Sequence, residues 1–464
     1  MTVPYWVQDA IFYQIFPDRF ANGDPSNDPP NVVPWGSQPT VWNFMGGDLR
    51  GVIQRFDYLL DLGVTAIYFN PIFLATSNHR YNIGDYYRID PKLGDMADFH
   101  ALLEVAHRND VRVILDGVFN HCGRGFFAFN DVLDNGEHSP YRDWFHINGF
   151  PVDAYSPGDA KDFAAWWNFK SLPKFNTNNP AVRKYLFEVA RYWIEQGADG
   201  WRLDVPNEIA DDTFWAEFRH AVKSVNREAY LVGEIWEADP RWVGEGHFDG
   251  LMNYPVRAAL LKLLQGGDTA DDFAATVEGL LRRYPRENVY AMYVPLGSHD
   301  TERLMTLLEG DLAKARLAFA FLFAYPGAPA ILYGDEIGMQ GGKDPDCRGA
   351  FPWQRGNGNE ELRAWVKRLI SLRKRLACLR RGDYQQILLD KDRCIYAFAR
   401  ALGDESVLIV LNAGASKRHL RLPVKSLGWG DGRILSNLLG SEEYIVSGDE
   451  LVATLPPWSS AWIG

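Results

Sequence analysis

Eight short runs of apolar, β-branched and aromatic residues, separated by helix-patterned stretches, constrain this chain more than any other feature. They lie at residues 11–16, 64–70, 111–118, 200–205, 230–236, 248–253, 291–296 and 330–333. Their near-continuous hydrophobicity is what parallel strands require when both faces are covered, whereas a strand with one wet face alternates. Helical patterns fill the gaps, among them 49–62, 96–109, 181–196 and 213–225. Strand and helix alternating eight times predicts an α/β fold, the (β/α)8 TIM barrel. A chain of 464 residues is compatible with that fold, because such barrels run long as one domain.

One connection is too long for a barrel loop. Residues 121–179 are rich in Gly, Asn, Asp and Pro and show no clear helical pattern. A structureless stretch of that length is usually functional, so we read it as a small subdomain inserted after the third strand. Past residue 381 the period changes: 394–399, 406–412, 419–422, 433–437 and 450–455 look like short strands bounded by turn residues. This predicts a C-terminal antiparallel β-sandwich. The expected division is a barrel over 1–120 and 180–380, an inserted subdomain over 121–179 and a β-domain over 381–464.

Charge and cysteine content remove several function classes. A net charge of -12 argues against nucleic acid, whose binding rests on neutralising phosphates, and does not favour an anionic membrane. Cys122, Cys347, Cys378 and Cys394 have neither zinc-site nor CxxC spacing and are expected to be reduced and mostly buried. The N-terminus has no basic region followed by an apolar stretch, and no run of about 18 apolar residues occurs. A cytoplasmic location is the expectation. Oligomeric state is not legible.

In a TIM barrel the active site gathers at the C-terminal ends of the strands. Here those ends carry Asp116-Gly-Val-Phe-Asn120-His121, Gly200-Trp-Arg202-Leu-Asp204, Gly233-Glu234-Ile235-Trp236 and His299-Asp300. An isolated carboxylate is more often a solvated loop charge or an ion-pair member; three at the ends of three strands suit glycoside hydrolysis. One carboxylic acid protonates the leaving oxygen while a carboxylate attacks or activates water. Like charges and partial burial should raise one pKa and not the other, with Arg202 keeping Asp204 ionised.

The segments DGVFNH (116–121), GWRLDVPNE (200–208), GEIW (233–236) and LGSHDTERL (296–304) resemble the four signature regions of the α-amylase superfamily. LPKFN (172–176) resembles the fifth, and NHRYNIGDYY (78–87) brings the set close to the cyclomaltodextrinase, neopullulanase and maltogenic amylase subfamily. The resemblance runs from about Asp9 to the chain end. It implies a retaining α-glucan hydrolase acting on maltooligosaccharides, cyclomaltodextrins or pullulan through a covalent glycosyl-enzyme. It assigns Asp204 as nucleophile, Glu234 as acid/base and Asp300 as the carboxylate that holds substrate hydroxyls. Arg202 orients the nucleophile, His121 and His299 bind the sugar being cleaved, and Tyr81 lies beneath it. An α-glucosidase or glucosyltransferase would share these residues. A non-catalytic amylase-like ectodomain would lose the carboxylates and carry a membrane anchor. The subfamily often has His after its EIW, where this chain has Glu237.

The loop after strand 1 contains Asn22, Asp24, Asn27 and Asp28. Oxygen-rich, glycine-bent loops suit Ca²⁺, although an Asn/Asp turn loop has the same composition. The segment also resembles the subfamily's calcium loop, which is completed by Gly46-Gly47-Asp48. Trp166, Trp167, Phe169, Trp236 and Trp353 could wall a sugar cleft or pack in the core. Glu208, one helical turn beyond Asp204, could shape acceptor binding. The subfamily's N-terminal β-sandwich is not found ahead of this barrel, so loops 31–43 and 341–354 are expected to reach the rim. Linear substrates should then be accepted at least as well as cyclodextrins.

Overall fold

The computed structural model describes residues 3–354 and 356–464. All eight expected barrel strands form, seven of them shorter than their apolar runs and the eighth starting two residues earlier than expected: β1 (Phe12–Ile15), β2 (Ala66–Phe69), β3 (Arg112–Gly117), β4 (Gly200–Leu203), β5 (Tyr230–Gly233), β6 (Gly250–Leu251), β7 (Tyr293–Pro295) and β8 (Ala328–Leu332). The hydrogen-bonded order is β6-β5-β4-β3-β2-β1-β8-β7, parallel throughout. A parallel bridge between Met252 and Tyr293 joins the two ends and closes the barrel. Apart from Arg112 the strand residues are buried, which is why the sequence runs are continuous rather than alternating. Phe12, Tyr68, Ile114, Tyr230, Val232 and Tyr293 pack inside the barrel.

The outer helices begin where side chains can satisfy free backbone N–H groups. Asp95 opens Met96–Arg108 with a capping box, Asp211 caps Asp212–Val225, and Asn179 caps Pro180–Glu195 with a proline in its first turn. The helix expected over 49–62 is two, Leu49–Gln54 and Phe56–Leu62, meeting at Arg55. A hairpin not anticipated from the sequence, Phe73–Ala75 with Ile83–Ile89, leaves β2 and carries the 78–87 segment.

The insertion after β3 contains a helix, Phe127–Asn135, where none was expected. Asn130, Asp131, Asp134 and Asn135 give this segment low intrinsic propensity. Tertiary packing supplies what propensity lacks: Phe129 lies 5.0 Å from both Phe145 and Phe163. The bridge His121–Lys174 ties the insertion back to the segment that follows β3, and Ala165–Pro173 pairs two of its own segments.

The C-terminal region folds as two four-stranded antiparallel sheets. Its strands are β9 (Asp383–Asp390), β10 (Ile395–Leu402), β11 (Glu405–Asn412), β12 (Arg418–Pro423), β13 (Ile434–Ser436), β14 (Glu443–Ser447), β15 (Glu450–Leu455) and β16 (Ser459–Ile463). The orders are β9-β10-β11-β16 and β12-β15-β14-β13. Sequence reading finds five of the eight and misses β9, β14 and β16. All four cysteines are free, three of them buried and Cys394 partly so. Among the described residues no helix is long and apolar enough to cross a membrane.

Candidate active site

The ends of β3, β4 and β5 deliver Asp116, Asp204 and Glu234 to one guanidinium. Arg202 Nη1 donates to Asp116 Oδ1 at 2.8 Å and to Asp204 Oδ1 at 3.0 Å, while Nη2 lies 3.0 Å from Glu234 Oε2. Adjacent nitrogens of one planar group therefore hold Asp204 and Glu234 side by side. Arg202 is 1 % exposed, so these are low-dielectric contacts. Among the described residues no hydrogen bond falls on Asp204 Oδ2, which leaves that oxygen available.

The register of parallel neighbours explains the convergence. Asp116 pairs with Arg202 across β3 and β4, and Leu203 with Gly233 across β4 and β5. Just past β4 the chain turns left-handed at Val205, with φ 36° and ψ 51°. A β-branched residue rarely adopts that conformation. Here it aims the Val205 N–H at Glu234 Oε2, 3.0 Å away. Trp236 Nε1 donates to Glu234 Oε1 at 3.2 Å, and its ring lies flat on Tyr254, 3.8 Å apart. The acid is thereby fixed at both oxygens.

Burial pushes the Asp204 carboxyl well above the ordinary range; Arg202 opposes the shift, and Glu234, Asp116 and Asp300 reinforce it. Burial also raises Glu234, with Arg202 opposing and Asp300 adding to the rise. The expectation that only one of the pair would be raised does not hold. One guanidinium does not fully offset the burial of three carboxylates, so both are displaced in the same direction.

A second layer orders the neighbours. Asp116 Oδ2 accepts from Tyr68 Oη at 2.6 Å and Tyr81 Oη at 2.7 Å. Tyr81 is stacked with His299, centroids 5.5 Å apart. Gln14 Nε2 donates to His299 Nδ1 at 2.9 Å, which puts the ring proton on Nε2. Nε2 then lies 2.7 Å from Tyr81 Oη and 3.1 Å from Asp300 Oδ2. Burial and the nearby arginines hold His299 well below the usual imidazole range, so the ring meets Asp300 uncharged. Arg348 Nη2 donates to Asp300 Oδ1 at 3.0 Å.

His121 is likewise kept neutral, lowered to about 3 by burial. Asn120 Nδ2 is 3.1 Å from its Nδ1, and its Nε2 is buried without a partner. Trp166 stacks on His121 at 5.6 Å, and Trp167 on Trp166 at 4.5 Å. Trp353 belongs to the packing: it contacts Phe20, Tyr58 and Phe351, with Arg55 over its face. Glu208 is tied to the insertion through Lys174 Nζ, 3.1 Å from Oε2. Asp116, Tyr68, Gln14 and Arg348 are additions from the structure. Only Asp116, heading the DGVFNH segment, carried a sequence signal.

The loop after β1 offers oxygen to a cation. Asn22 Oδ1 and Asn27 Oδ1 are buried without hydrogen-bond partners. Asn22 Nδ2 donates to Asp28 Oδ1 at 2.9 Å, and Asp48 Oδ2 accepts from the Asp24 N–H at 2.8 Å. Gly46 has φ +81°, and a Cβ there would sit 2.2 Å from Asp28 Oδ1, so only glycine closes this loop. The Asp24 carboxylate accepts from Ser26 and faces Arg50, and the Asp28 and Asp48 carboxylates likewise accept hydrogen bonds, which leaves the two amide oxygens as the unpartnered ones. Among the described residues no group of three His, Cys, Asp or Glu is placed for a metal. Half of what this loop presents is amide oxygen, and that donor set fits a hard cation.

Comparison with known proteins agrees with this geometry. Residues 14–376 match the α-amylase catalytic domain family, and 384–462 match the maltogenic amylase C-terminal domain. Neopullulanase 2 of Thermoactinomyces vulgaris is 46% identical over 98% of this chain and 78% of its own length. A cyclomaltodextrinase of Geobacillus thermopakistaniensis is 44% identical over 98% of this chain and 76% of its own. The solved cyclic α-maltosyl-(1→6)-maltose hydrolase of Arthrobacter globiformis, in complex with that sugar, superposes with a TM-score of 0.91 at 40% identity over 100% of both chains. A rim-facing acid pair on a closed parallel barrel, matched along nearly its whole length, places this chain in the α-amylase family of glycoside hydrolases.

Proposed function

We propose that this enzyme cleaves α-1,4 and α-1,6 glucosidic bonds in short α-glucans, linear or cyclic, by double displacement with retention. The arrangement that carries the reading is Arg202 presenting Asp204 and Glu234 from adjacent nitrogens, with Asp204 Oδ2 left open. Glu234, raised by burial, enters protonated and gives its proton to the leaving oxygen as Asp204 Oδ2 attacks the anomeric carbon. The glycosyl-enzyme ester forms, Glu234 is left as carboxylate, and it then takes a proton from the water that cleaves the ester. Asp300, steadied by Arg348 and His299, accepts from hydroxyls of the sugar being cleaved. Tyr81 and Trp166 border the ring, and His121 Nε2 donates to it. Relatives named neopullulanase, cyclomaltodextrinase and maltosyl-(1→6)-maltose hydrolase motivate the substrate range.

Ca²⁺ belongs to this reading, with Asn22, Asn27, Asp28 and Asp48 and the Gly46 turn as its cradle. It would stiffen the loop after β1 and supply no chemistry. The cytoplasm is the proposed location, in keeping with four free thiols.

Proton NMR of the first product from maltotriose tests the chemistry: an α anomer is expected, and a β anomer overturns retention. Asp204→Asn should cut kcat by about 10⁴-fold or more; near-normal turnover in that variant removes Asp204 as nucleophile. Product profiles on maltotriose, pullulan and β-cyclodextrin separate hydrolase from glucosidase or glucosyltransferase.

A further inference from the structure

Trp42 is the most exposed large apolar side chain among the described residues, at 81 %. Its loop is not loose. Asn78 Nδ2, buried, donates to Thr40 O at 2.9 Å and Asn43 O at 2.7 Å. Arg19 Nη2, also buried, donates to Asn43 O at 3.0 Å. Within the turn, Thr40 N–H donates to Asn43 Oδ1, and Thr40 Oγ1 accepts from the N–H groups of Trp42 and Asn43. The backbone is thus fixed immediately before and after Trp42, and the indole is held out in water.

The anchors locate it. Asn78 stands three residues before Tyr81, which bonds Asp116 and His299. On the other side, Gln38 Nε2 donates to Asp346 Oδ1 at 2.6 Å, and Trp35 Nε1 to Phe351 O at 2.9 Å. Asp346 lies two residues before Arg348, the partner of Asp300. Loop 31–43 therefore bridges the two flanks of the Tyr81–His299–Asp300 layer and meets the loop after β8.

A rigid loop that exposes a large flat ring leaves unsatisfied apolar surface at a cost to stability. The neighbours Gln38, Thr40 and Asn43 are polar, and of the large apolar side chains nearby only Val41 is exposed with it. Protein docking surfaces are wider apolar patches. A lone ring among hydrogen-bonding groups matches a pyranose, which has an apolar C–H face and a polar edge. We propose that Trp42 is a stacking platform for a glucosyl unit of the α-glucan on the Asp300 side of the cleavage point, and so a specificity-determining residue for chain length. The proposal rests on the α-glucan reading above.

Trp42→Ala and Trp42→Phe test it. The ratio of kcat/KM for maltoheptaose to that for maltotriose should fall about tenfold in Trp42→Ala and stay within about threefold of wild type in Trp42→Phe. In an Asp204→Asn background, the calorimetric Kd for maltoheptaose should weaken about tenfold when Trp42→Ala is added. An unchanged ratio and Kd overturn the proposal, as does an equal loss on both substrates. A shift in sedimentation from dimer to monomer in Trp42→Ala would also overturn it, assigning the ring to self-association. A wild-type enzyme inert toward both sugars removes the α-glucan reading itself. An active wild type with an unaffected Trp42→Ala removes this proposal alone.

Discussion

The arginine hub at the strand ends and the loop after β1 depart from folding logic in opposite directions. At the hub, Asp116, Asp204 and Glu234 are drawn out of water around a single guanidinium. In the loop, the Trp42 indole is held in solvent by side chains that secure its backbone. Surrounding structure over-determines both: parallel-strand register in the first, buried donors Asn78 and Arg19 in the second. Places where local chemistry works against stability are where function is concentrated. The difference lies in what each region gives up. The hub concentrates unlike and like charge at low dielectric, so its energetics are large and pH-dependent; the loop exposes apolar area, so its energetics are small and independent of pH.

The largest effect should come from removing the hub's cation. Arg202→Met leaves three buried carboxylates without a counter-charge and should destabilise the fold by about 3–5 kcal/mol in urea unfolding at neutral pH. A loss below about 1 kcal/mol would mean the hub is not held electrostatically, and the contrast with the rim would fail.

Calcium probes the rim side, because Asp28 and Gly46 bracket loop 31–43. A cation bound only by the folded state at about 100 times its Kd adds about 2.7 kcal/mol. Chelation should therefore lower Tm while leaving kcat at moderate temperature unchanged. An EDTA-insensitive melting curve removes the cation from this loop.

The smallest of the three effects sharpens the sign of the hub's charge. The Asp204 carboxyl is raised in the folded protein above its unfolded value. The folded state therefore binds more protons across that interval, and stability falls as pH rises from the unfolded pKa toward the folded one. Asp204→Asn removes that penalty. The inactive variant should be more stable than wild type by about 1–2 kcal/mol at pH 7, with the gain shrinking toward pH 4. A variant less stable than wild type at pH 7 would show that the Arg202 contact outweighs burial.

Much of this was legible in the chain. Seven barrel strands lie inside their apolar runs and the eighth overlaps its run, because strands covered on both faces need no alternation and so leave an unbroken local signal. β9, with its polar Asp383-Tyr-Gln-Gln start, left none; it is an edge strand with mostly part-exposed residues. The hairpin after β2 and the Phe127–Asn135 helix depend on partners distant in sequence, which no local window contains. Among the tryptophans, composition gave no way to tell Trp353, packed on Phe351 at 4.2 Å, from a cleft wall. Loop 31–43 was expected at the rim, but nothing local distinguished Trp42 within it, because exposure is a property of the folded surface.

The sequence by itself determined the number and order of the strands and the carboxylates that sit at their ends, since hydrophobic period and chain position are local quantities. That Asp116, Asp204 and Glu234 share one guanidinium, that burial lifts both Asp204 and Glu234, and that the loop after β1 holds an indole in solvent emerge only in three dimensions. Dielectric environment and solvent access are set by groups far apart in the chain, and they exist only once the barrel has closed.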